Sequence, residues 1–194
     1  MTVQRREYPD YEAYLTHQRK KTANPAVIAK LRARADERMR HFRGEFKVVT
    51  RHVPAGTRAI CLGARLGEEV AVLRELGYDA VGIDLVPCPP LVEQGDFHHI
   101  PFVDGAFGLV YCNSVDHVFD LPQFVAEVRR VLEPGGWAYF VLRVNHWGSY
   151  ESLKLEDPLT FVGMFDDFRT EYYFDNGLLD KARIATVLLR KVAE

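Results

Sequence analysis

Two features of the sequence place residues suited to ligand binding at the ends of apolar segments. A glycine-containing loop runs from Gly63 to Gly67 after one short apolar segment, and Asp84 ends the next segment, 21 residues after Gly63. Glycines at a strand-to-helix turn let the backbone come close to a ligand, and amides at the helix start face it. An acid after the second strand can accept hydrogen bonds from both ribose hydroxyls. A tight turn and a capping aspartate would explain the same residues without a ligand.

A longer segment, residues 95–110, separates the two cofactors that fit this pattern, a nicotinamide dinucleotide and S-adenosylmethionine. Its sequence, GDFHHIPFVDGAFGLV, resembles the stretch G-D-x-x-x-(L/I)-P-F-x-D-x-x-F-D-x-V between the third and fourth strands of small class I methyltransferases. Residues 124–137, FVAEVRRVLEPGGW, resemble the helix and Pro-Gly-Gly turn of that family. The resemblance covers about residues 57–143. It implies a Rossmann-like fold, S-adenosylmethionine as cofactor and methyl transfer as activity, and it disfavours a nicotinamide oxidoreductase.

The resemblance implies a role for each residue that matches the family pattern. The glycine loop approaches the methionine part of the cofactor, and Asp84 binds its ribose. Asp96 contacts the adenine amino group, with Phe97 beside the ring, and Asn113 faces the methyl donor. The implied cofactor-binding residues are Gly63, Ala64, Arg65, Gly67, Asp84, Leu85, Asp96, Phe97 and Asn113.

The glycine loop departs from the family pattern at two positions. Cys61 stands where the family usually has an acid, and Arg65 stands where it has the middle glycine. A thiol cannot replace a carboxylate that orders the amine of the cofactor's methionine. Arg65 adds a positive charge that could pair with the cofactor's carboxylate or with a neighbouring glutamate. These departures leave open a cofactor-binding interaction protein without turnover.

The candidate catalytic residues lie after the predicted fourth strand, at the sheet edge where ligands bind. His117 falls where many relatives carry a histidine, and Asp116 precedes it. Methyl transfer from a sulfonium needs chiefly an aligned nucleophile and the exclusion of water. A hydroxyl acceptor also needs a base, and histidine titrates near neutral pH. We therefore expect His117 and Asp116 to supply that base, although His117 could instead only pack against or cap the next helix.

The charge of the N-terminal segment and the residues after the fifth strand indicate the kind of methyl acceptor. His146 and Trp147 follow that strand and are expected to line the acceptor pocket. Residues 1–58 carry 14 Lys and Arg against 6 Asp and Glu, which favours a small, anionic methyl acceptor. RNA or protein methylation is the alternative, but no aromatic-plus-basic RNA-binding motif supports nucleic acid. No metal-ligand cluster stands out, so no metal is predicted.

Length and composition indicate a soluble cytoplasmic protein of one domain with an extension. The chain has 194 residues, of which 47% are hydrophobic and 27% charged. No apolar run approaches the roughly 20 residues that span a membrane, and no secretory signal is evident. The three cysteines lack metal-site spacing, which indicates free thiols in a reducing compartment. A homodimer stays open as a source of substrate cover.

The first part of the chain is predicted to be helical. Residues 9–21 form a first helix, and Asn24 and Pro25 begin a second, since Asn caps helices and Pro suits the first helical position. The second helix is expected to continue to Pro54, with one apolar stripe formed by Ile28, Leu31, Ala35, Met39, Phe42, Phe46 and Val49. Residues 1–53 are thus an N-terminal helical extension that is expected to cover the substrate.

Residues 54–194 are expected to form the S-adenosylmethionine-binding methyltransferase domain. Strands are predicted at residues 58–62, 80–83, 92–95, 107–112 and 137–143, with helices at 67–76 and 121–132 between them. Residues 149–168 are mixed and partly helical, and residues 169–174 and 184–190 form a final hairpin. Alternating strands and helices indicate an α/β fold, a seven-stranded, mostly parallel sheet with helices on both faces and the last strand antiparallel.

Overall fold

The structure, a computed structural model, describes residues 3–177 and 183–193. Residues 1, 2, 178–182 and 194, which belong to the two predicted domains, lie outside the described residues. The strands are β1 (Val3–Arg5), β2 (Arg58–Leu62), β3 (Asp79–Asp84), β4 (Val92–Gln94), β5 (Phe107–Cys112), β6 (Leu132–Val144), β7 (Leu153–Leu155), β8 (Phe168–Asp175) and β9 (Arg183–Lys191). The α-helices are α1 (Tyr11–Thr22), α2 (Pro25–Arg32), α3 (Ala35–Glu45), α4 (Lys47–His52), α5 (Glu68–Glu75), α6 (Leu121–Val131) and α7 (Pro158–Val162).

The central sheet is the expected Rossmann-like sheet. Strands β4, β3, β2, β5 and β6 lie side by side and parallel in that order. Strand β9 pairs antiparallel with β6, and β8 pairs antiparallel with β9. The predicted fold class, with the last strand antiparallel, is confirmed. The parallel strands end at one edge, which is where such sheets bind ligands.

Two short strands enlarge the sheet beyond the seven that the sequence predicts. Strand β7 pairs in parallel with the end of β6, where Val144 is opposite Leu155, and β1 pairs antiparallel with β7. Each has three residues, too few for an alternating apolar pattern to be recognised. The N-terminal segment is thereby joined to the sheet itself.

The prediction of one long helix after Asn24 is wrong. Asn24 caps α2 as expected, but the helical segment is interrupted at Arg34 and again at Phe46. Helix α2 buries none of its residues, whereas Phe42, Phe46 and Val49 are fully buried. Only the second half of the apolar stripe therefore packs on the sheet. The first half lies half-buried, with no sheet beneath it to hold a straight helix.

Apolar side chains of the central strands alternate between the two faces of the sheet. On β2, Ile60 and Leu62 pack with helix α6 and α7 residues such as Phe161. Ala59 and Cys61 face the opposite side, where α3, α4 and α5 pack. The sheet is thus covered on both faces, as parallel strands require.

All three cysteines are free thiols, and Cys61 and Cys112 are buried. In the part of the chain that the structure describes, no helix combines the length and apolarity needed to cross a membrane.

Candidate active site

The glycine loop between β2 and α5 is held against the end of β3. The amides of Gly63 and Ala64 donate hydrogen bonds to the carbonyl of Ile83, at 2.9 and 3.0 Å. Gly63 has a φ of +73°, and a Cβ there would lie 3.1 Å from the Cβ and Oγ of Ser114. Only glycine therefore fits this turn beside the end of β5 without displacing Ser114.

Arg65 has a left-handed backbone although it is not a glycine. Its φ is +52°, a conformation that is costly for residues with a Cβ. The family's glycine at this position would adopt it freely. Burial lowers the pKa of the Arg65 guanidinium, with a further contribution from Arg38. The substitution thus puts a partly buried positive charge on a strained loop.

A first cavity opens between the glycine loop, the ends of β3 to β5 and helix α1. Four of the predicted cofactor-binding side chains on its wall end or follow β3 and β4, namely Asp84, Leu85, Asp96 and Phe97. Helix α1 supplies the opposite wall. The lining residues are Tyr14, Gln18, Lys21, Thr22, Gly63, Arg65, Asp84, Leu85, Gly95, Asp96, Phe97, Ser114 and His117.

Asp84 accepts two backbone hydrogen bonds at the mouth of this cavity. Its Oδ2 accepts from the Arg65 amide at 3.1 Å, and its Oδ1 accepts from the Val86 amide at 3.0 Å. Burial raises the pKa of Asp84, and these hydrogen bonds oppose the rise. The carboxylate therefore ties the glycine loop to β3. Each oxygen retains acceptor capacity toward the cavity.

Asp96 belongs to a buried hydrogen-bond network with helix α1. Its Oδ1 accepts from the amide and the Nδ1 of His98, at 2.9 and 3.0 Å, and its Oδ2 accepts from the hydroxyl of Tyr11. His98 Nε2 accepts the amides of Phe119 and Asp120, so its proton is on Nδ1. Burial alone would raise the pKa of Asp96, but the hydrogen bonds from His98 and Tyr11 outweigh it and lower the pKa. Tyr11 thus couples α1 to the predicted adenine-binding residue.

A second cavity adjoins the first and shares Gly63, Arg65, Ser114 and His117 with it. Asn113 and Asp116 open into this second cavity, as does the β6 residue Arg143. Its lining residues are Arg38, His41, Phe42, Glu45, Gly63, Arg65, Glu69, Asn113, Ser114, Asp116, His117, Val141, Arg143 and Ile184.

His117 lies between the two cavities and is held on both ring nitrogens. Nδ1 is 3.0 Å from the carbonyl oxygen of Tyr150, and Nε2 is 2.6 Å from Nζ of Lys21. A carbonyl only accepts, so Nδ1 carries the proton and Nε2 accepts from Lys21. Burial lowers the pKa of His117 to about 4 and that of Lys21 to about 8. His117 is therefore neutral at physiological pH. Its lone pair on Nε2 accepts the hydrogen bond from Lys21.

Two carboxylates stand beside this pair. Potential ligand atoms of Asp116, His117 and Glu151 all lie within 4.8 Å of one another, a grouping that could hold a cation. The Lys21 ammonium, 2.6 Å from His117, supplies positive charge there, and both carboxylates raise its pKa against the effect of burial. Asp116 Oδ2 is buried without a hydrogen-bond partner among the residues that the structure describes.

Four predicted site residues do not line either cavity. Ala64 is fully buried, and Gly67, which begins α5, is packed against Leu91. His146 Nε2 contacts Glu151 at 3.1 Å, and Trp147 lies outside under the guanidinium of Arg6. Asn145, between β6 and these two residues, has a left-handed backbone with a φ of +56°.

The charged cavity residues that the sequence does not indicate include Lys21, Glu69 and Arg143. Lys21 comes from α1, Glu69 from the first turn of α5 and Arg143 from β6. Arg65 and Arg143 make no hydrogen bond or ion pair through their side chains within residues 3–177 and 183–193. Two glutamates, Glu68 and Glu69, follow the glycine loop, and this pair is a signal that could have identified Glu69. Lys21 carried no such signal, because its position depends on how α1 folds back.

Comparison with known proteins indicates the family to which this site belongs. Residues 60–140 match the family model of the methyltransferase domain. Residues 60–140 therefore form a methyltransferase domain of the class I, S-adenosylmethionine-dependent type. The predicted family, enzyme class and cofactor are thereby confirmed. No curated protein sequence matches the chain.

Solved structures share the fold of this methyltransferase at low sequence identity. A 1,6-didemethyltoxoflavin N1-methyltransferase of Burkholderia thailandensis, with bound 1,6-didemethyltoxoflavin and S-adenosylhomocysteine, is similar at 13% identity and a TM-score of 0.76, covering 98% of this chain and 95% of that chain. A methyltransferase of Methanosarcina mazei is similar at 17% identity and a TM-score of 0.63, over 76% and 98%. The [4+2]-cyclase SpnF is similar at 15% identity and a TM-score of 0.65, over 78% and 81%.

The residues of the two cavities fit S-adenosylmethionine. Gly63 lines both cavities, and an unpartnered, buried carboxylate oxygen of Glu69 is available for a cationic group. Asp84 and Asp96 are placed at the ends of adjacent strands, where the ribose and adenine would lie.

Proposed function

We propose that this methyltransferase transfers the methyl group to a small anionic acceptor bound in the second cavity. The observation that carries the proposal is the pair of guanidinium groups, Arg65 and Arg143, that line this cavity without an ion pair in the described residues. Arg38 lines it too, but its Nε is 3.2 Å from Glu68. Guanidinium groups recognise carboxylates and phosphates through paired hydrogen bonds. A carboxylated or phosphorylated metabolite fits this arrangement.

The N-terminal helices would limit the size of the acceptor. Residues from α1, α2 and α3 cover the ligand edge of the sheet, and Val27, Leu31 and Phe42 line the outer approach to Arg143. We propose that residues 1–53 enclose the acceptor, which excludes a folded macromolecule. The Burkholderia thailandensis methyltransferase, similar over the whole chain, holds a small molecule and supports this choice. We also propose that the protein is cytoplasmic and that a single chain forms the whole active site.

The methyl group is supplied by the sulfonium of the bound cofactor, whose departing thioether is neutral. The protein's own residues would orient the acceptor and exclude water, a gain from proximity. We propose that the cofactor lies along the first cavity, with Asp84 at the ribose, Asp96 and Phe97 at the adenine, and Asn113 toward the second cavity. The acceptor's anionic group would then pair with Arg143, on the side away from the cofactor.

Proton removal from a hydroxyl acceptor would use His117, with Asp116 and Lys21. The neutral imidazole offers a lone pair only on Nε2, and the Lys21 ammonium holds it. Loss of a proton from Lys21 frees that lone pair, so we propose that His117 and Lys21 act together as the base. Asp116, with an oxygen 3.9 Å from His117 Nε2, would stabilise the imidazolium that forms.

The experiment is methyl transfer from labelled S-adenosylmethionine into a metabolite extract that has been separated by anion exchange. We expect label in the fraction that binds the anion exchanger, and less label with the Asp84→Ala variant at a subsaturating cofactor concentration. Label only in the fraction that does not bind would refute an anionic acceptor. Label in protein or RNA would refute enclosure by the N-terminal helices. Cofactor binding without any labelled product would support an interaction protein instead.

A further inference from the structure

Glu69 presents a carboxylate oxygen without a hydrogen-bond partner at the second cavity, among the residues that the structure describes. It lies in the first turn of α5, two residues after Gly67, and is 2% exposed. Its Oε2 is buried and accepts no hydrogen bond from any described residue. A buried, unsatisfied carboxylate oxygen is costly, because the group has lost its water without gaining a donor. A ligand that brings a donor or a positive charge would remove that cost.

The charged neighbours of Glu69 do not form an ion pair with it. Arg38 of α3 forms its ion pair with Glu68, 3.2 Å away, and the Arg65 guanidinium makes no ion pair in the described residues. Glu68 is the acidic neighbour that raises the pKa of Glu69, and Glu45, Asp116 and Arg143 line the same cavity. Cys61, Tyr111 and Cys112 also interact with Glu69, and burial raises their pKa values, so these three groups are neutral. Burial likewise raises the pKa of Glu69 to about 8, so the carboxyl group takes up a proton where no cation is bound.

The neighbouring Cys61 explains why a carboxylate is needed at this place. The family acid that orders the amine of the cofactor's methionine is replaced by Cys61, and the thiol is 0% exposed among apolar side chains. It lines neither cavity, and burial raises its pKa, so the thiol stays protonated. The ammonium of the methionine moiety therefore has no partner on β2. Glu69 is eight residues later, on the wall of the cavity that adjoins Gly63.

We propose that Glu69 binds the α-ammonium group of the cofactor's methionine moiety and replaces the acid that is missing at position 61. The proposal rests on the cofactor and on the geometry of the loop, and it is independent of which acceptor is methylated. Ammonium and carboxylate are complementary in charge, and the Oε2 atom has its full acceptor capacity free. Binding would convert the protonated Glu69 to the ionised form and release a proton.

Titration calorimetry with two ligands tests this assignment. S-adenosylhomocysteine carries the α-ammonium group, whereas 5′-methylthioadenosine keeps the adenosine and lacks it. We expect Glu69→Gln to weaken binding of S-adenosylhomocysteine by about 10- to 100-fold, the value of one charge-assisted hydrogen bond. Its affinity for 5′-methylthioadenosine should stay unchanged, which also reports an intact adenosine pocket. The matched control is Glu75→Gln on the same helix, whose side chain is 45% exposed and pairs with Arg43.

Proton release provides a second readout. At pH 7 the wild type should release a proton on binding S-adenosylhomocysteine, measured by calorimetry in buffers of different ionisation enthalpy, and Glu69→Gln should release less. An equal loss of affinity for both ligands, or no loss for either, would overturn the assignment. Because no methyl acceptor is present, failure of this test is separate from failure of the proposed acceptor chemistry.

Discussion

The Nζ of Lys21 lies 2.6 Å from the Nε2 of His117, and this contact joins the N-terminal helix to the loop after β5. Burial favours the uncharged forms of both groups, so the pair shares one proton near neutral pH instead of carrying two charges. The interpretation of His117 alone as a base is therefore incomplete. The base is available only when Lys21 no longer donates to it.

The Lys21–His117 contact predicts the pH dependence of methyl transfer to a hydroxyl acceptor. Lys21 loses its proton as pH rises through about 8, whereas the pKa of His117, near 4, lies below the working range. Turnover should therefore rise with pH and level off above about 8, falling roughly tenfold per unit below it. The measurement is kcat between pH 6 and 9.5.

Two variants test this pH profile. Lys21→Met frees the imidazole lone pair and should flatten the profile across the same range. His117→Ala should lower kcat by about 10²- to 10⁴-fold, the usual contribution of a positioned base. A wild-type profile that is flat from pH 6 to 9.5 would show that Lys21 does not control the base.

The Asp84→Ala variant tests two roles of this residue, cofactor binding and stabilisation of the glycine loop. Asp84→Ala removes the acceptor for the amides of Arg65 and Val86 as well as the proposed ribose contact. We expect the affinities for S-adenosylhomocysteine and 5′-methylthioadenosine to fall together by at least about tenfold, since both contain the ribose. The free energy of unfolding should fall by about 1–3 kcal/mol. Unchanged affinity for both ligands in a folded variant would show that Asp84 only stabilises the loop.

Arg143 should set the apparent affinity for the acceptor. Arg143→Ala leaves the cofactor cavity intact, so KM for an anionic acceptor should rise by about 5- to 20-fold, with little change in S-adenosylmethionine binding. The matched control is Arg169→Ala, an exposed arginine on β8. Steady-state kinetics at two salt concentrations give the test. Equal KM values for both variants would contradict a role for Arg143 in acceptor binding.

The sheet could be predicted from the sequence because its strands are short apolar segments between clear turn signals. Strands β2 and β5 begin and end at the predicted residues. The proline-rich segment 85–91 contains no helix, as its composition indicates. Strands β1 and β7 could not be predicted, because three residues have no period, and they form only where the two segments meet.

Sequence motifs predict the positions of the cofactor residues. They do not predict the parts of the cavity walls that come from distant segments of the chain. Asp84, Asp96 and Phe97 lie at the ends of strands that the pattern fixes. Lys21 reaches His117 across 96 residues of sequence, a contact that no local pattern encodes. His146 and Trp147 follow β6 as expected, but they line neither cavity. Asn145 before them has a left-handed backbone, which the sequence pattern does not signal.

Arg65 combines two effects, strain and charge, that two substitutions can separate. Its φ of +52° costs about 1–2 kcal/mol for a residue with a Cβ, while glycine avoids this cost and increases the entropy of the unfolded chain. Arg65→Gly should therefore leave the free energy of unfolding within about 1 kcal/mol of the wild type. Arg65→Ala keeps the strain and should differ from Arg65→Gly by about 1 kcal/mol in the destabilising direction.

Both substitutions remove the same positive charge from the wall that the two cavities share. If that charge pairs with the methionine carboxylate, both variants should lose affinity for S-adenosylhomocysteine by about 5- to 20-fold and keep their affinity for 5′-methylthioadenosine, which has no carboxylate. If the charge serves only the acceptor, both ligands should bind both variants as tightly as the wild type, and KM for the acceptor should rise instead. A loss confined to Arg65→Gly would attribute the effect to backbone freedom in the loop, because the alanine variant lacks the same charge. Unfolding by denaturant and titration with the two ligands, on the same protein preparations, distinguish these three outcomes.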